Sequence, residues 1–493
     1  MIPEIILTSR EQELENLVIV ISRLTKLPAG VFSSAEKRYI TREVETRKRE
    51  LIFFNRLDYQ VVVCRVDVKK ERASRLEACR RNGDLIAKAL LEQKAARVAI
   101  FDAGAMPDET LALASGMVLG SYRFLAYKTN QEEAATLELM EVYSPSLDQQ
   151  GEEGRIRIER MNHTHDAVFR CRDLINEPNI HLTATRFGEV VALMAAECGA
   201  TAEILTKPKL EALRMGGILG VNQGSVEPPV MAIMEWKPEG ARNHRPLVLV
   251  GKGVMYDTGG MNLKPGDTMM NMKDDMSGAA AVATSIFAMA KAKFPVHVIG
   301  LMPATDNRPG DRALVPGDVI TMHSGLTVEV VNTDAEGRLL LADALSYASK
   351  YDPLLVIDLA TLTGSAVRAL GAFGIPAMQH NAGAFLKQLM KAGEEVYERM
   401  VAFPLWEEYG DLLKSDIADM KNCGPPEAGM ITAAKFLQKF ISFPYIHLDI
   451  AAPAFLEKRD SYRGQGGTGF GVRLLMAFAE IWQHDPPGTV ATK

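Results

Sequence analysis

Five cysteines in 493 residues, an odd number without a Cys-x-x-Cys pair, offer no basis for a disulfide framework or a thiolate zinc site. Cys64, Cys79, Cys171, Cys198 and Cys423 all stand outside any local nucleophile signature, so buried thiols are expected. Long apolar runs are missing too. The longest nearly apolar stretch, Gly278 to Ala290, is too short to cross a bilayer. Neither sign of charge dominates: 56 basic and 62 acidic residues give −6, mixed along the chain, which implies neither nucleic acid nor an anionic membrane as partner. No fixed-period repeat or low-complexity tract occurs. From Met1 to Leu7 no positive segment precedes the apolar residues, and a soluble, cytoplasmic protein is expected.

What is present is 47% apolar residues, enough for large cores, over a length that suggests roughly two to four domains. From Asn16 to Tyr143, β-rich runs (Leu17 to Ile21, Val61 to Val66, Arg97 to Phe101, Leu137 to Val142) alternate with charged amphipathic stretches (Ser34 to Phe54, Lys69 to Gln93, Pro107 to Phe124). That alternation predicts an α/β domain over residues 1–150 with a mostly parallel sheet. The polar, turn-rich stretch Ser144 to Gly154 is the domain boundary expected from composition. A linker helix over 151–178 follows, with apolar Ile158, Met161, Val168, Cys171 and Ile175 at helical spacing until Glu177-Pro178 stops it. His163 and His165 on it lack the i, i+4 spacing of a shared metal site and read as surface histidines.

Residues 179–493 show a second alternating series: a helix near Thr183 to Cys198, then strands at Val230 to Trp236, Leu247 to Val250, Val296 to Leu301, Val328 to Val331, Leu355 to Leu359 and Tyr445 to Ile450. The fold class is therefore two α/β domains, the second larger and built on a mixed, mostly parallel sheet flanked by helices. Sites in such sheets gather at the carboxyl ends of strands. Met269, Met270, Met272 and Met276 form a cluster of the kind that packs against a core or pocket.

Three segments concentrate the chemistry. After the strand ending at Val250 comes Gly251-Lys252-Gly253-Val254-Met255-Tyr256-Asp257-Thr258-Gly259-Gly260, which lacks the Gly-x-x-x-x-Gly-Lys-Ser/Thr spacing of a phosphate loop. Lys264 and Met272-Lys273-Asp274-Asp275-Met276-Ser277-Gly278 follow, and Ser277 fits an N-cap of the small-residue helix beyond it. Asn332-Thr333-Asp334-Ala335-Glu336-Gly337-Arg338-Leu339 is the third, where Thr333 and Glu336 also fit a capping box with no chemistry at all. Each fragment has a structural reading. Taken together as strand-end segments of one sheet, they converge four carboxylates, which repel unless cations lie between them. Oxygen ligands suit hard or borderline divalent ions, and a carboxylate can bridge two of them.

In these residues the chain resembles the leucyl aminopeptidase family of two-metal exopeptidases. Asn332 to Leu339 matches the family's signature octapeptide, and Val250 to Gly253, Asp257 to Gly260, Leu263-Lys264-Pro265 and Asp275 to Ala280 match its other motifs in order. Asp173 to Pro178, Ala360 to Gly364 and His447 to Ala451 extend the likeness over the second domain, and in the first it thins to Gly120 to Phe124. Tyr256 and Met261-Asn262 depart from the pattern at positions that are not ligands.

The resemblance implies a metal-dependent aminopeptidase releasing large neutral N-terminal residues such as Leu or Met from short peptides, with the first domain non-catalytic and concerned with assembly or regulation. Lys252 (as neutral amine), Asp257, Asp275 and Glu336 would hold the tighter metal, and Asp257, Asp334 and Glu336 the exchangeable one. Zinc or manganese is expected, with magnesium or cobalt as alternatives. Lys264 would stabilise the oxyanion, and Arg338 would hold a bicarbonate as general base. Asp275 is chosen over Asp274 because Met276-Ser277-Gly278 anchors it. Leu362 would offer a carbonyl, and Met272, Thr361, Gly364, Ala454 and Gly467 would lie at the side-chain pocket, glycine at 467 leaving extra room. A homohexamer with sites facing inward is implied. The competing reading is a nucleotide- or nucleic-acid-binding protein with secondary peptidase activity.

Overall fold

The β-branched runs Val18-Ile19-Val20 and Val61-Val62-Val63 are buried on both faces, as strands inside a parallel sheet must be. The computed structural model describes residues 2–8, 16–104, 106–130 and 134–484, and its contacts divide the chain into two units, Met1–Phe169 with Lys458–Gly464 and Arg170–Glu457 with Gln465–Lys493.

The first unit is built on a six-stranded sheet. Its strands are β1 (Glu4–Leu7), β2 (Leu17–Ile21), β3 (Leu51–Asn55), β4 (Gln60–Arg65), β5 (Arg97–Asp102) and β6 (Leu139–Tyr143), in the order β1-β6-β5-β2-β4-β3. Every pairing is parallel except β3 with β4. Strand β3 occupies the end of the stretch Ser34 to Phe54 that the amphipathic pattern assigns to a helix. The helix there ends at Glu45, and its start is a capping box in which the Ser33 and Glu36 side chains each accept from the other's backbone N–H. The helix Glu152–Asn176 lies where the linker helix is expected. His165 on it is buried, with Nε2 2.8 Å from the Ser115 hydroxyl, and is not a surface residue. Cys64, Cys79 and Cys171 are buried, whereas Cys198 and Cys423 are half-exposed.

The second unit carries the larger sheet. Strands β7 (Thr201–Thr206), β8 (Val230–Trp236), β9 (Leu247–Gly251), β10 (Gly253–Asp257), β11 (Val298–Asn307), β14 (Leu355–Ala360), β15 (Ile375–His380), β16 (Met400–Ala402) and β18 (Tyr445–Asp449) belong to it. The order is β16-β15-β18-β14-β9-β11-β8-β7, with β10 also on β11. Parallel pairings surround β9, antiparallel ones join β11-β8-β7 on one side and β18-β15 on the other, and the edge pair β15-β16 is parallel. Strands β12 (Val319–Thr321), β13 (Thr327–Glu329) and β17 (Met420–Lys421) form a separate three-stranded sheet, and β19 (Phe455–Leu456) pairs with β20 (Gly466–Gly467). Strand β13, predicted as Val328 to Val331, is therefore not in the central sheet, and Asp334 and Glu336 reach the site from a different sheet than Lys252. The helices Ser277–Lys291 and Gly337–Ala348 are almost wholly buried, the first around Val282, Ile286 and Phe287 and the second through Leu340, Leu341 and Leu345. Their apolar surfaces fix where their amino-terminal ends stand.

Candidate metal centre

Lys252 leaves the end of β9, where its N–H donates to Leu359 O and its carbonyl accepts from Ala279 N, so its backbone is fixed between β14 and the helix Ser277–Lys291. Its ammonium donates to Asp275 Oδ1 at 2.7 Å and to the Thr361 carbonyl at 2.8 Å, and lies 3.0 Å from Glu336 Oε1. Lys264 forms a second such node, 2.8 Å from Asp257 Oδ2 and 2.6 Å from Asp334 Oδ1. Asp257, Asp334 and Glu336 each offer an oxygen within 4.8 Å of the others. The seven expected chemical residues thus divide into these two lysine-centred nodes joined by that carboxylate trio, with Arg338 apart: its Nη1 donates to the Asn422 carbonyl at 2.9 Å.

Charge and burial oppose each other here. Lys252, Asp257, Asp275 and Glu336 are all 6% exposed or less. With Asp334, which is exposed, four carboxylates face two ammonium groups, a surplus of two negative charges, and the three buried carboxylates have little water to screen them. Burial pushes the Asp275 carboxyl up, against the pull of Lys252. Burial alone would push Lys252 down, but Asp275, Glu336 and Asp257 outweigh it and hold its proton more firmly than in water. Asp275 Oδ2 and Glu336 Oε2 are buried with no hydrogen-bond partner among the described residues. Unpartnered buried carboxylate oxygens beside surplus negative charge are what divalent cations bind, so the donor set fits a metal centre. Arg338 Nε is likewise buried without a partner among the described residues, a free donor for an anion.

Local sequence explains several placements, and two expected caps are absent. Glu336 sits at the N-cap of Gly337–Ala348 without capping it, because its side chain goes to Lys252. Thr333 does not cap the helix either: its hydroxyl donates to Gly259 O at 2.7 Å and accepts from Asn262 N at 2.8 Å, pinning the loop between Asp257 and Lys264. Ser277 is the first helical residue and not the N-cap, its hydroxyl donating to the Asp274 carbonyl. Asn307 and Asn422 carry supporting contacts that sequence reasoning missed. Asn307 Nδ2 donates to Asp257 Oδ1 and Thr333 O, and Asn422 Nδ2 donates to Asn332 O. Only the register Asp257 to Asn307 between β10 and β11 could have revealed the first.

Of the expected pocket residues, Thr361 is buried with its hydroxyl donating to Asp275 Oδ1 at 2.9 Å. Leu362 is half-buried, and Gly364 is exposed at the start of a short helix, Gly364–Leu370. Met272 stands in the one-turn helix Met272–Asp274. Ala454 and Gly467 are buried, and Thr468 N donates to Ala454 O. A β-carbon at position 467 would stand 2.7 Å from Ile175 Cβ and 3.3 Å from Arg172 O. The space that the missing side chain would take is filled by the helix behind it, so glycine here does not enlarge a pocket.

The chain has extensive likenesses to known proteins. The model of the cytosol aminopeptidase family, catalytic domain, matches residues 169–476. A probable cytosol aminopeptidase of Geobacter sulfurreducens is 40% identical over 465 residues, 93% of this chain and 92% of that protein. Among solved structures, the bottromycin maturation enzyme BotP in complex with Mn superposes with a TM-score of 0.81 at 28% identity, covering 95% of this chain and all of that one. A mutant of tomato leucine aminopeptidase gives 0.83 at 26% identity, covering 97% and 96%. With a family model over more than half of its length and a relative this similar over nearly all of it, the chain belongs to the cytosol aminopeptidase family and is a metal-dependent aminopeptidase, a hydrolase of the metallo-exopeptidase kind.

Proposed function

We propose that the enzyme releases large neutral N-terminal residues from short peptides at the cluster of Lys252, Asp257, Asp275, Asp334 and Glu336. The observation that supports this most is the convergence of Asp257, Asp334 and Glu336 within 4.8 Å beside buried carboxylate oxygens lacking partners among the described residues. Lys252, as neutral amine after an incoming ion has displaced its proton to solvent, would hold the tighter ion with Asp257, Asp275 and Glu336, and Asp257, Asp334 (also through its carbonyl) and Glu336 would hold the exchangeable one. Family resemblance favours zinc or manganese, with magnesium or cobalt as alternatives, because an oxygen-rich set with one amine does not choose strongly among these ions. Bound there, two divalent ions supply Lewis acidity and make water a nucleophile near neutral pH.

The chain's own residues do the rest. Lys264, carrying its proton against Asp257 and Asp334, is the cation that stabilises the oxyanion of the tetrahedral intermediate. Arg338, with its buried Nε available, is the residue to hold a bicarbonate as proton acceptor. Leu362 offers its carbonyl to the substrate amide, and Met272, Thr361, Gly364, Ala454 and Gly467 flank the substrate side chain. The preference for Leu or Met at the first position rests on family resemblance, since Gly467 adds no room.

Residues 179–493 form the catalytic part in this reading, residues 1–150 serve assembly or regulation, and 151–178 link them. The chain acts in the cytoplasm as a homohexamer. No helix among the described residues is long and apolar enough to cross a membrane.

The test is hydrolysis of dipeptides, free and N-acetylated, by protein stripped of metal and refilled with Zn²⁺, Mn²⁺, Co²⁺ or Mg²⁺, with Glu336→Ala alongside. Activity should need metal, a free amine and Glu336, and equal cleavage of acetylated peptides would refute the reading.

A further inference from the structure

Below the metal centre lies a row of buried polar side chains that the proposed chemistry does not use. Adjacent parallel strands β14 and β18 supply it, with Asp358 beside His447 and Ala360 beside Asp449 in register. Tyr445, His447 and Asp449 alternate along β18 and so share one face. Asp358 accepts from the Tyr445 hydroxyl and lies 2.7 Å from His447 Nδ1. All four residues are fully buried, and His447 Nε2 has no partner among the described residues. The other charges acting on the imidazole are Asp449 and Arg338. Burial disfavours the imidazolium, but Asp358 outweighs it and raises His447 above its ordinary value, which in turn opposes the upward push of burial on Asp449. The row ends at Asp449.

That carboxylate grips the turn that leaves β14. Asp449 Oδ1 accepts from Leu362 N at 3.2 Å and from Ala451 N at 3.2 Å, and Oδ2 accepts from the Thr363 hydroxyl at 2.6 Å. One residue earlier, the Thr361 carbonyl accepts from Lys252 Nζ and its hydroxyl donates to Asp275. The Leu362 carbonyl therefore hangs between two fixed points, the metal-ligand cluster on one side and Asp449 on the other.

We propose that Asp449, supported by His447 and Asp358 and acting through Thr363, is a positioning residue that fixes the Leu362 carbonyl against the substrate. This rests on the role given to Leu362 in the proposed function. A group held within a fraction of an ångström contributes to the rate at the reacting geometry, whereas a loosened one still lets substrate bind.

Thr363 offers a second test: Thr363→Val keeps the shape and removes the hydroxyl, with both its bond to Asp449 and its cap on Ala366 N, and Thr363→Ser restores them. With the metal-loaded enzyme and leucine dipeptides, Thr363→Val and Asp449→Asn should lower kcat by about tenfold while KM stays within about twofold and metal content is unchanged. Thr363→Ser should return to within about twofold of the parent kcat. Should Asp449→Asn fail to fold, the two Thr363 variants decide alone. A Thr363→Val enzyme with parental kcat overturns the inference, as does a loss that tracks metal content, appears wholly in KM, or is shared by Thr363→Ser. Inactive parental enzyme would instead overturn the proposed function on which the inference stands.

Discussion

Gly337 yields its side-chain space to Lys252: a β-carbon at position 337 would stand 2.4 Å from Lys252 Cε and 2.7 Å from its Nζ. The signature stretch thus contributes twice to the same lysine, with the Glu336 carboxylate and with the absence of a side chain next to it. Gly337→Ala should displace the amine from Asp275 and Glu336. Loss even of an outer-shell partner costs roughly 10–100-fold in metal affinity, and displacing Lys252, a proposed ligand, should cost at least that, so activity at limiting metal should fall with it and recover partly at excess metal. Metal content per chain after dialysis checks this, and a full complement in the alanine variant would refute it.

Lys264 should behave in the opposite way. Its ammonium contacts Asp257 Oδ2 and Asp334 Oδ1, so replacing it by methionine removes a positive charge that competes with cations for those oxygens. Metal should be retained at least as tightly as in the parent. Loss of an oxyanion-stabilising charge typically lowers kcat by about a hundred- to a thousandfold. Parallel metal titrations and saturation kinetics separate the two effects, and a drop in activity matched by loss of metal would show Lys264 to be a structural partner of the ligands only.

Most central strands, and the convergence of the charged motifs, were legible because each leaves a local mark. Buried parallel strands such as Val248 to Val250 read as apolar runs, and Lys252, Asp257, Asp275, Asp334 and Glu336 stand in compact motifs. What could not be read is nonlocal. Thr333 and Glu336 carry a valid capping pattern, yet stronger partners 71 residues away at Asn262 and in the Lys252 ammonium take both side chains. The placement of β13 outside the central sheet depends on its pairing with β12 and β17, which no period in its three residues specifies. Asp449 is similar: it looks like one more strand-end acid, and only its contacts with Leu362 and Thr363 separate it from a ligand.

Gly467 also illustrates a nonlocal constraint, and it carries a third expectation. Since a β-carbon there would meet Ile175 Cβ at 2.7 Å and Cγ2 at 2.8 Å, Gly467→Ala must move the helix or the strand. Overpacking of this kind costs about 1–3 kcal/mol. The melting temperature should fall, while the ratio of rates on N-terminal Leu and N-terminal Ala peptides stays near the parental value. A variant as stable as the parent that discriminates against Leu would show that glycine at 467 does leave room in the pocket.

Asp343 supplies a pH dependence away from the metal ligands. It is fully buried in the helix Gly337–Ala348, where Oδ1 accepts from His323 N at 2.8 Å and Oδ2 from Ile218 N at 3.0 Å. Burial raises its carboxyl from 3.8 to about 7 in spite of these backbone donors. The folded state therefore binds the proton more tightly than the unfolded chain. The stabilisation is fully present below pH 3.8 and is lost progressively as pH rises to about 7, after which the deficit is constant. Asparagine at this position cannot titrate, so the stability difference between parent and Asp343→Asn isolates the effect from all other groups. Between pH 5 and pH 8 that difference should shift against the parent by roughly 2–3 kcal/mol. Urea unfolding of both proteins at those two pH values measures it directly. A difference that stays flat, or that moves in the parent's favour as pH rises, would mean that the backbone donors hold Asp343 ionised throughout.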